Sequence, residues 1–207
     1  MPNRYTPANS EEFQAGSTEV LKNKLGLTLQ IDMDQAEAIA LKTAGDLYFR
    51  SFDAEHRFTA KDICWMHEQW LGKLYDWAGK YRSIDISKRG FMFAHAALIP
   101  DLMNDFERKI LAKQAMNTCV TYTQAAKAIA VAHAELILIH PFREGNGRLA
   151  RSLANLMAAQ ANLPPLNYQH MDQNKDAYIA SIHSALSQDY ELLTKMFIKI
   201  IEESEHR

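Results

Sequence analysis

The sequence is short of several things that would point to a special environment. It has only two cysteines, Cys64 and Cys119, in 207 residues. Two thiols so far apart fit neither a zinc-ligand spacing nor a disulfide framework, and both read as reduced small hydrophobes. There is no run of about 18 apolar residues that could span a bilayer. Met1-Pro2-Asn3-Arg4-Tyr5 is not followed by the apolar stretch of a secretion signal. Neither sign of charge is in excess: 23 basic and 25 acidic residues give −2. Such a balance gives no reason to expect nucleic-acid or membrane-surface binding. A cytoplasmic protein is the default expectation. No internal repeat, low-complexity tract or linker is visible.

What is present is a 47% hydrophobic chain, long enough for one compact domain with its own core. Residues 1–20 are polar and read as a loosely attached arm. Residues 21–207 read as the domain. Helical periodicity dominates it. Ala36, Ile39, Ala40 and Leu47 share a helical spacing within 33–49. Thr59 and Asp62 form a capping-box pattern ahead of Ile63, Met66, Trp70 and Leu71. Ile99, Met103, Phe106 and Ile110 mark a helix with Pro100 in its first turn. Residues 123–139 read as a helix capped by Thr123, with Ile129, Ala132, Leu136 and Ile139 apolar. Another helix runs from about Gly147 to Ala161, with Leu149, Leu153, Leu156 and Met157 inward, and Pro164-Pro165 follow it. Two further helices are expected over 174–186 and 189–204. Only 81–93 differs: Ile84 and Ile86 alternate with polar neighbours, and Lys88-Arg89-Gly90 sits where a turn belongs. This stretch predicts a short β-hairpin, marginal unless it leans on the helices.

The chemistry concentrates in His140-Pro141-Phe142-Arg143-Glu144-Gly145-Asn146-Gly147-Arg148-Leu149-Ala150-Arg151. A helix ends at His140, a two-glycine loop follows, and a new helix begins. Unpaired N–H groups at a helix start, with glycines that permit close approach, make an anion site. Arg148 and Arg151 repel each other slightly at i,i+3, and they sit where the helix macrodipole disfavours cations. A polyphosphate between them would relieve both penalties. Glu144 beside bound phosphate makes sense with a bridging Mg²⁺. His140, at the loop edge, suits a general base. Singly, each feature is more often structural: a helix cap, a plain loop, a solvated arginine. Their conjunction within twelve residues reverses that reading.

Other patterns fail on context. Gly145 to Ala150 fits a dinucleotide fingerprint, but a helix, not a strand, precedes it. His67-Glu68 is not a zincin start, because Leu71 stands where the second His belongs. His133-Ala134-Glu135 lacks the cysteine pair of a zinc deaminase.

The 140–151 segment resembles the HPFx(D/E)GNGRxxR signature of the Fic family at every specified position. Leu74 to Arg82 is similar to that family's lead into its hairpin flap, and Leu21 to Gly26 to its N-terminal lead-in. The resemblance implies an all-α domain of seven or eight helices with one short β-hairpin flap. It implies a bacterial cytoplasmic protein adenylyltransferase that moves AMP from ATP to a hydroxyl side chain of a protein. His140 would be the base, Phe142 the loop anchor and Glu144 the Mg²⁺ ligand. Gly145, Asn146 and Gly147 would line the α- and β-phosphate site, Arg148 would contact phosphates and Arg151 the γ-phosphate. Asn174 and Tyr178 are adenine-pocket candidates by position. Ile84, Asp85, Ile86 and Phe91 would form the flap that docks the target by strand addition. The alternatives are a Doc-like phosphotransferase, which resembles this signature with Lys at the position of Gly147, and a non-catalytic module of the same fold. The family's inhibitory (S/T)xxxE(G/N) motif is missing. Ser51 to Glu55 continues with His56, and Ser187 to Glu191 with Leu192, so a small antitoxin acting in trans is expected.

Overall fold

A helix that is apolar over most of its surface belongs in the middle of a protein, and α4 (Tyr122–Ile139), past its exposed first turn and Lys127, is such a helix. Alanines 125, 126, 128, 130, 132 and 134 and the aliphatic Ile129, Leu136, Ile137 and Ile139 are all buried along it. The small side chains let α5 (Asn146–Gln160) and α8 (Glu191–Glu205) pack directly against it. The computed structural model describes residues 12–205 except 89, 115 and 120. α3 (Ile99–Lys109) and α7 (Lys175–Ser184) also touch α4; α1 (Gln30–Ser51) and α2 (Ala60–Leu71) pack on each other and on α5; and α6 (Gln169–Gln173) packs on α7 and α8, with short 3₁₀ turns between some of them. Among the described residues the fold is therefore eight α-helices plus one hairpin of β1 (Ser87–Lys88) and β2 (Phe91–Met92). Among the described residues no helix is long and apolar enough to cross a membrane.

The capping box at Thr59 is present as expected: Thr59 accepts from the Asp62 N–H, and Asp62 accepts from Thr59. Ile63, Met66, Trp70 and Leu71 are all essentially fully buried behind it. The box at the start of α4 is formed by Thr121 and Gln124, two residues ahead of the expected Thr123. α5 begins at Asn146, α3 ends before Ile110, and the expected helix 174–186 is α7, continued by a 3₁₀ turn over Ala185–Ser187 and preceded by the short α6. Asn174 separates α6 from α7 because its side-chain amide donates to the His170 carbonyl at 2.8 Å and its backbone leaves the helical region.

The inner face of α1 is a correction. Ile39 is 62% exposed and Leu47 is also exposed. The buried line is Met33, Glu37, Ala44 and Tyr48. A buried glutamate at the centre of that line disguises it: of the expected stripe Ala36 and Ala40 are half-buried against the core, while Ile39 and Leu47 face solvent.

Residues 12–20, expected within a loose arm, are held. Phe13 bridges Leu21, Val20 is buried, and Glu12 pairs with Arg143 at 2.5 Å. Residues 1–11 lie outside the described residues.

The hairpin is shorter than the predicted 81–93 stretch. Only Ser87–Met92 and Lys88–Phe91 pair, with one more bond from the Phe93 N–H to the Ile86 carbonyl. Gly90 takes a left-handed φ of 80° in the turn; its neighbour Arg89 lies outside the described residues. Two pairs do not hold a hairpin alone. The missing support comes from Arg82, whose side chain donates to the carbonyls of Ile84 and Ala94 on either side of it.

Candidate active site

The loop between α4 and α5 is shaped by four local constraints. His140 caps α4 in the left-handed region, at φ 52° and ψ 59°. That conformation costs a non-glycine residue about 1–2 kcal/mol, and Pro141 behind it cannot extend the helix. Gly145 also takes a left-handed φ, of 86°, and a Cβ there would lie 2.8 Å from the Trp70 ring. Both conformation and space therefore demand glycine at 145. Asn146 closes the loop with its side chain, bonding both backbone groups of Phe142. The Phe142 ring is fully buried and lies flat on His67, with centroids 3.9 Å apart.

Gly147 is different. Nothing lies within 4 Å of a Cβ built there. Glycine in the first turn of α5 thus weakens the helix by about 1 kcal/mol with no packing reason. It leaves open space beside the helix start, where the N–H groups of the first turn have no partner within α5.

His140 is buried, and its Nδ1 lies 2.9 Å from the Ile137 carbonyl. A carbonyl only accepts, so the proton sits on Nδ1 and Nε2 is the basic nitrogen. Burial pushes the imidazole down to about 3; the bond to Ile137 opposes this, and the charges of Lys88 and Arg82 add to it. His140 is therefore neutral at pH 7. Phe93 of the hairpin stacks on its ring at 3.7 Å.

The two arginines of α5 already have carboxylate partners. Arg148 meets Glu37 of α1 at 2.6 Å, lies 3.7 Å from Glu144, and sits over the Trp70 ring at 4.6 Å. Arg151 makes a two-point contact with Asp172 of α6, at 2.6 and 3.3 Å, above the Tyr168 ring. This pairing holds the Asp172 carboxyl below its usual range. The strain expected from two cations in the first turns of a helix is relieved here by the protein's own acids. Glu144 is buried, and one of its oxygens accepts from the Gly145 N–H at 2.9 Å. No group of three or more metal-ligating side chains occurs among the described residues. One carboxylate such as that of Glu144, completed by phosphate oxygens and water, is still a donor set that Mg²⁺ accepts.

The structure sorts the remaining sequence-predicted residues. Ile86 is buried, so it faces the domain and not a target. Ile84 is half-buried, and Asp85 binds His95 Nδ1 and the Ala96 N–H at the base of the hairpin. Phe91 stacks on His183 of α7. Asn146 serves the loop with its side chain, which leaves only its backbone to face an anion. Asn174 is exposed beside a surface depression of about 540 Å³ that Asp172 and Asp176 also line. The Tyr178 hydroxyl instead turns inward, 2.9 Å from His133 Nε2.

Several residues that shape the site were not singled out by the sequence. Arg82 is the most connected of them. Its backbone N–H donates to the Pro141 carbonyl at 2.9 Å. Its guanidinium donates to the carbonyls of His140 at 2.8 Å, Ile84 at 2.6 Å and Ala94. One buried side chain thus ties both ends of the hairpin to the residue before the proline. His67 accepts from the Gly79 N–H at Nδ1 and faces the Glu144 carbonyl at Nε2, each within 3.0 Å. Only the neutral ring makes both bonds, and burial lowers it to about 4. The one sequence hint was His67 falling on the apolar face of α2 between Met66 and Trp70.

Known proteins share this fold. Residues 57–158 match the model of the Fic/DOC family. The protein adenylyltransferase VbhT of Bartonella schoenbuchensis is 27% identical over 76% of the chain, which spans 33% of that relative. The protein adenylyltransferase Fic of Aedes aegypti is 33% identical over 118 residues, and 23% of it is spanned. The chain thus covers a third or less of the length of these two relatives. The probable protein adenylyltransferase Fic of Escherichia coli is 26% identical over 90% of both chains. Among solved structures, the Bartonella tribocorum effector BepC with bound AMPPNP superposes with a TM-score of 0.75 at 19% identity, covering 94% of this chain and 98% of that one. With the complete 140–151 motif on the loop between α4 and α5, residues 57–158 are a Fic/DOC family domain.

Proposed function

We propose that the protein transfers AMP from ATP to a hydroxyl side chain of a protein target. The observation that carries this reading is His140. It is neutral, presents Nε2 as its basic nitrogen, and ends α4 at the start of the short loop that leads to the Gly145 turn opening α5. His140 would take the proton of the target hydroxyl. The hydroxyl oxygen then attacks the α-phosphorus, the bond to the bridging oxygen of the β-phosphate breaks, and pyrophosphate leaves. The amides of 145–147 and Arg148 would hold the α- and β-phosphates, and Arg151 the γ-phosphate. An imidazole held near 3 is a weak base; polyphosphate charge beside it raises its basicity toward the working pH. Glu144 would hold Mg²⁺, which when bound neutralises phosphate charge.

Three further assignments belong to the same reading. The hairpin edge docks the target main chain, with Ile84 and Phe91 nearer to it than the buried Ile86. Asn174, beside Asp172, and the ring of Tyr178 flank the adenine. A small antitoxin restrains the enzyme in trans. In support of the last, neither glutamate of the two motif-like stretches pairs with Arg151: Glu191 pairs with Lys195, and Glu55 is exposed. A need for ATP fits a cytoplasmic, bacterial location.

The test is incubation with α-labelled and γ-labelled ATP and a bacterial lysate. Label from the α position supports adenylylation. Label from the γ position alone means phosphotransfer, which the bare Gly147 disfavours, and no label means a binding module. His140→Ala should abolish α-label transfer while nucleotide affinity stays within about twofold. Affinity lost as far as the rate would remove His140 from the base role.

A further inference from the structure

Arg148 has an unusual environment for a phosphate ligand. One of its terminal nitrogens, Nη1, is 2.6 Å from Glu37. The other, Nη2, is shielded from solvent and makes no hydrogen bond, with the Glu144 carboxylate 3.7 Å away. A buried N–H without an acceptor is unfavourable unless something else supplies one. Glu37 is itself tightly placed. It is 1% exposed, and its other oxygen accepts from the Tyr75 hydroxyl at 2.6 Å. Its own carbonyl accepts from Trp70 Nε1 at 2.9 Å. The Trp70 ring in turn lies under the Arg148 guanidinium and against Gly145. One residue of α1 therefore fixes the arginine through its carboxylate and the tryptophan beneath it through its backbone.

We infer that Glu37 is a positioning residue for nucleotide binding: it anchors Nη1 of Arg148 so that Nη2 faces the phosphate site. Glu37 lies outside 57–158, the segment that matches the family, and forms no part of the 140–151 motif. The geometry also explains why α1 must bury a charge in its core-facing line. A planar guanidinium held at one end and stacked on a ring keeps only one orientation. Without the Glu37 carboxylate it can turn about its stem, and binding phosphate would then have to order it.

The inference rests on the adenylyltransferase reading, and the experiment separates the two. Direct titration with ATP and Mg²⁺ measures nucleotide affinity in four proteins: the parent chain, Glu37→Gln, Arg148→Gln and the double variant. If the parent chain binds no nucleotide, the functional reading itself fails. Glu37→Gln should weaken affinity roughly tenfold, the equivalent of one charge-assisted hydrogen bond. In transfer assays the KM for ATP should rise by the same factor, with kcat at saturating ATP within about twofold. Thermal melts identify any general loss of fold. The double variant should bind no more weakly than Arg148→Gln, because Glu37 acts only through that side chain. Tyr75→Phe, which loosens Glu37 without touching Arg148, should shift affinity in the same direction by less. Unchanged or tighter binding by Glu37→Gln overturns the inference. So does an additive loss in the double variant, since that is the signature of a merely structural role.

Discussion

The Asn146 side chain closes a ring on Phe142, accepting from its N–H at 2.9 Å and donating to its carbonyl at 2.8 Å. Every residue from Phe142 to Asn146 is buried. The Phe142 backbone is thus satisfied within the loop itself. Asn146→Ala would strip partners from two buried groups, a loss of about 2–4 kcal/mol. The thermal midpoint should fall by roughly 5–10 °C, and Asn146→Asp, which keeps the acceptor but loses the donor, should lie between. A melt unchanged in Asn146→Ala would show that the backbone finds other partners.

Arg151 is held by Asp172, where the functional reading needs it for phosphate. Both side chains are partly exposed, at 32% and 52%. An ion pair so open to water contributes only about 0–1 kcal/mol. Asp172→Asn should therefore leave stability nearly unchanged and tighten ATP binding by up to about fivefold. Weaker binding in the variant would mean that Asp172 orients Arg151 instead of competing for it.

Acid should destabilise the protein before most carboxylates titrate. Burial pushes His67 to about 4, and His133 and His140 to about 3, from an ordinary value of 6.5. The unfolded chain takes up these protons near pH 6.5, and the folded chain does not until near pH 3–4. Between those limits the unfolded state binds more protons, so stability falls as pH falls. Each histidine contributes up to about 1.4 kcal/mol per pH unit, and nothing above pH 7. Urea midpoints at pH 7.5, 6.0 and 5.0 should drop progressively, and His133→Gln should show a shallower slope. Equal midpoints at pH 7.5 and 5.0 would mean that these rings are protonated in the fold without penalty.

Local rules in the sequence determined a great deal. Capping residues at Thr59, the apolar stripe of α2 and α5, the glycine of the hairpin turn and the 140–151 motif all depend on neighbours close along the chain. Such interactions repeat wherever the local sequence repeats, so the helices and the loop between α4 and α5 are legible in the order of residues alone. Partnerships between distant segments are not. Nothing near Glu37 announces Arg148, which is far along the chain, and the apolar pattern of α1 is only half right, with Ala36 and Ala40 against the core but Ile39 and Leu47 in solvent, because a buried position is charged. Arg82 reads as a hairpin residue in sequence, yet the fold gathers carbonyls from two loops around its guanidinium. Nothing near Asp172 in sequence announces Arg151, yet the fold sets its carboxylate on that side chain. Ion pairs and hydrogen bonds across the core leave no periodic trace in sequence, since they need one complementary group placed by the fold and not a pattern along the chain. The tertiary structure alone decided which acids hold the arginines and what keeps His140 neutral.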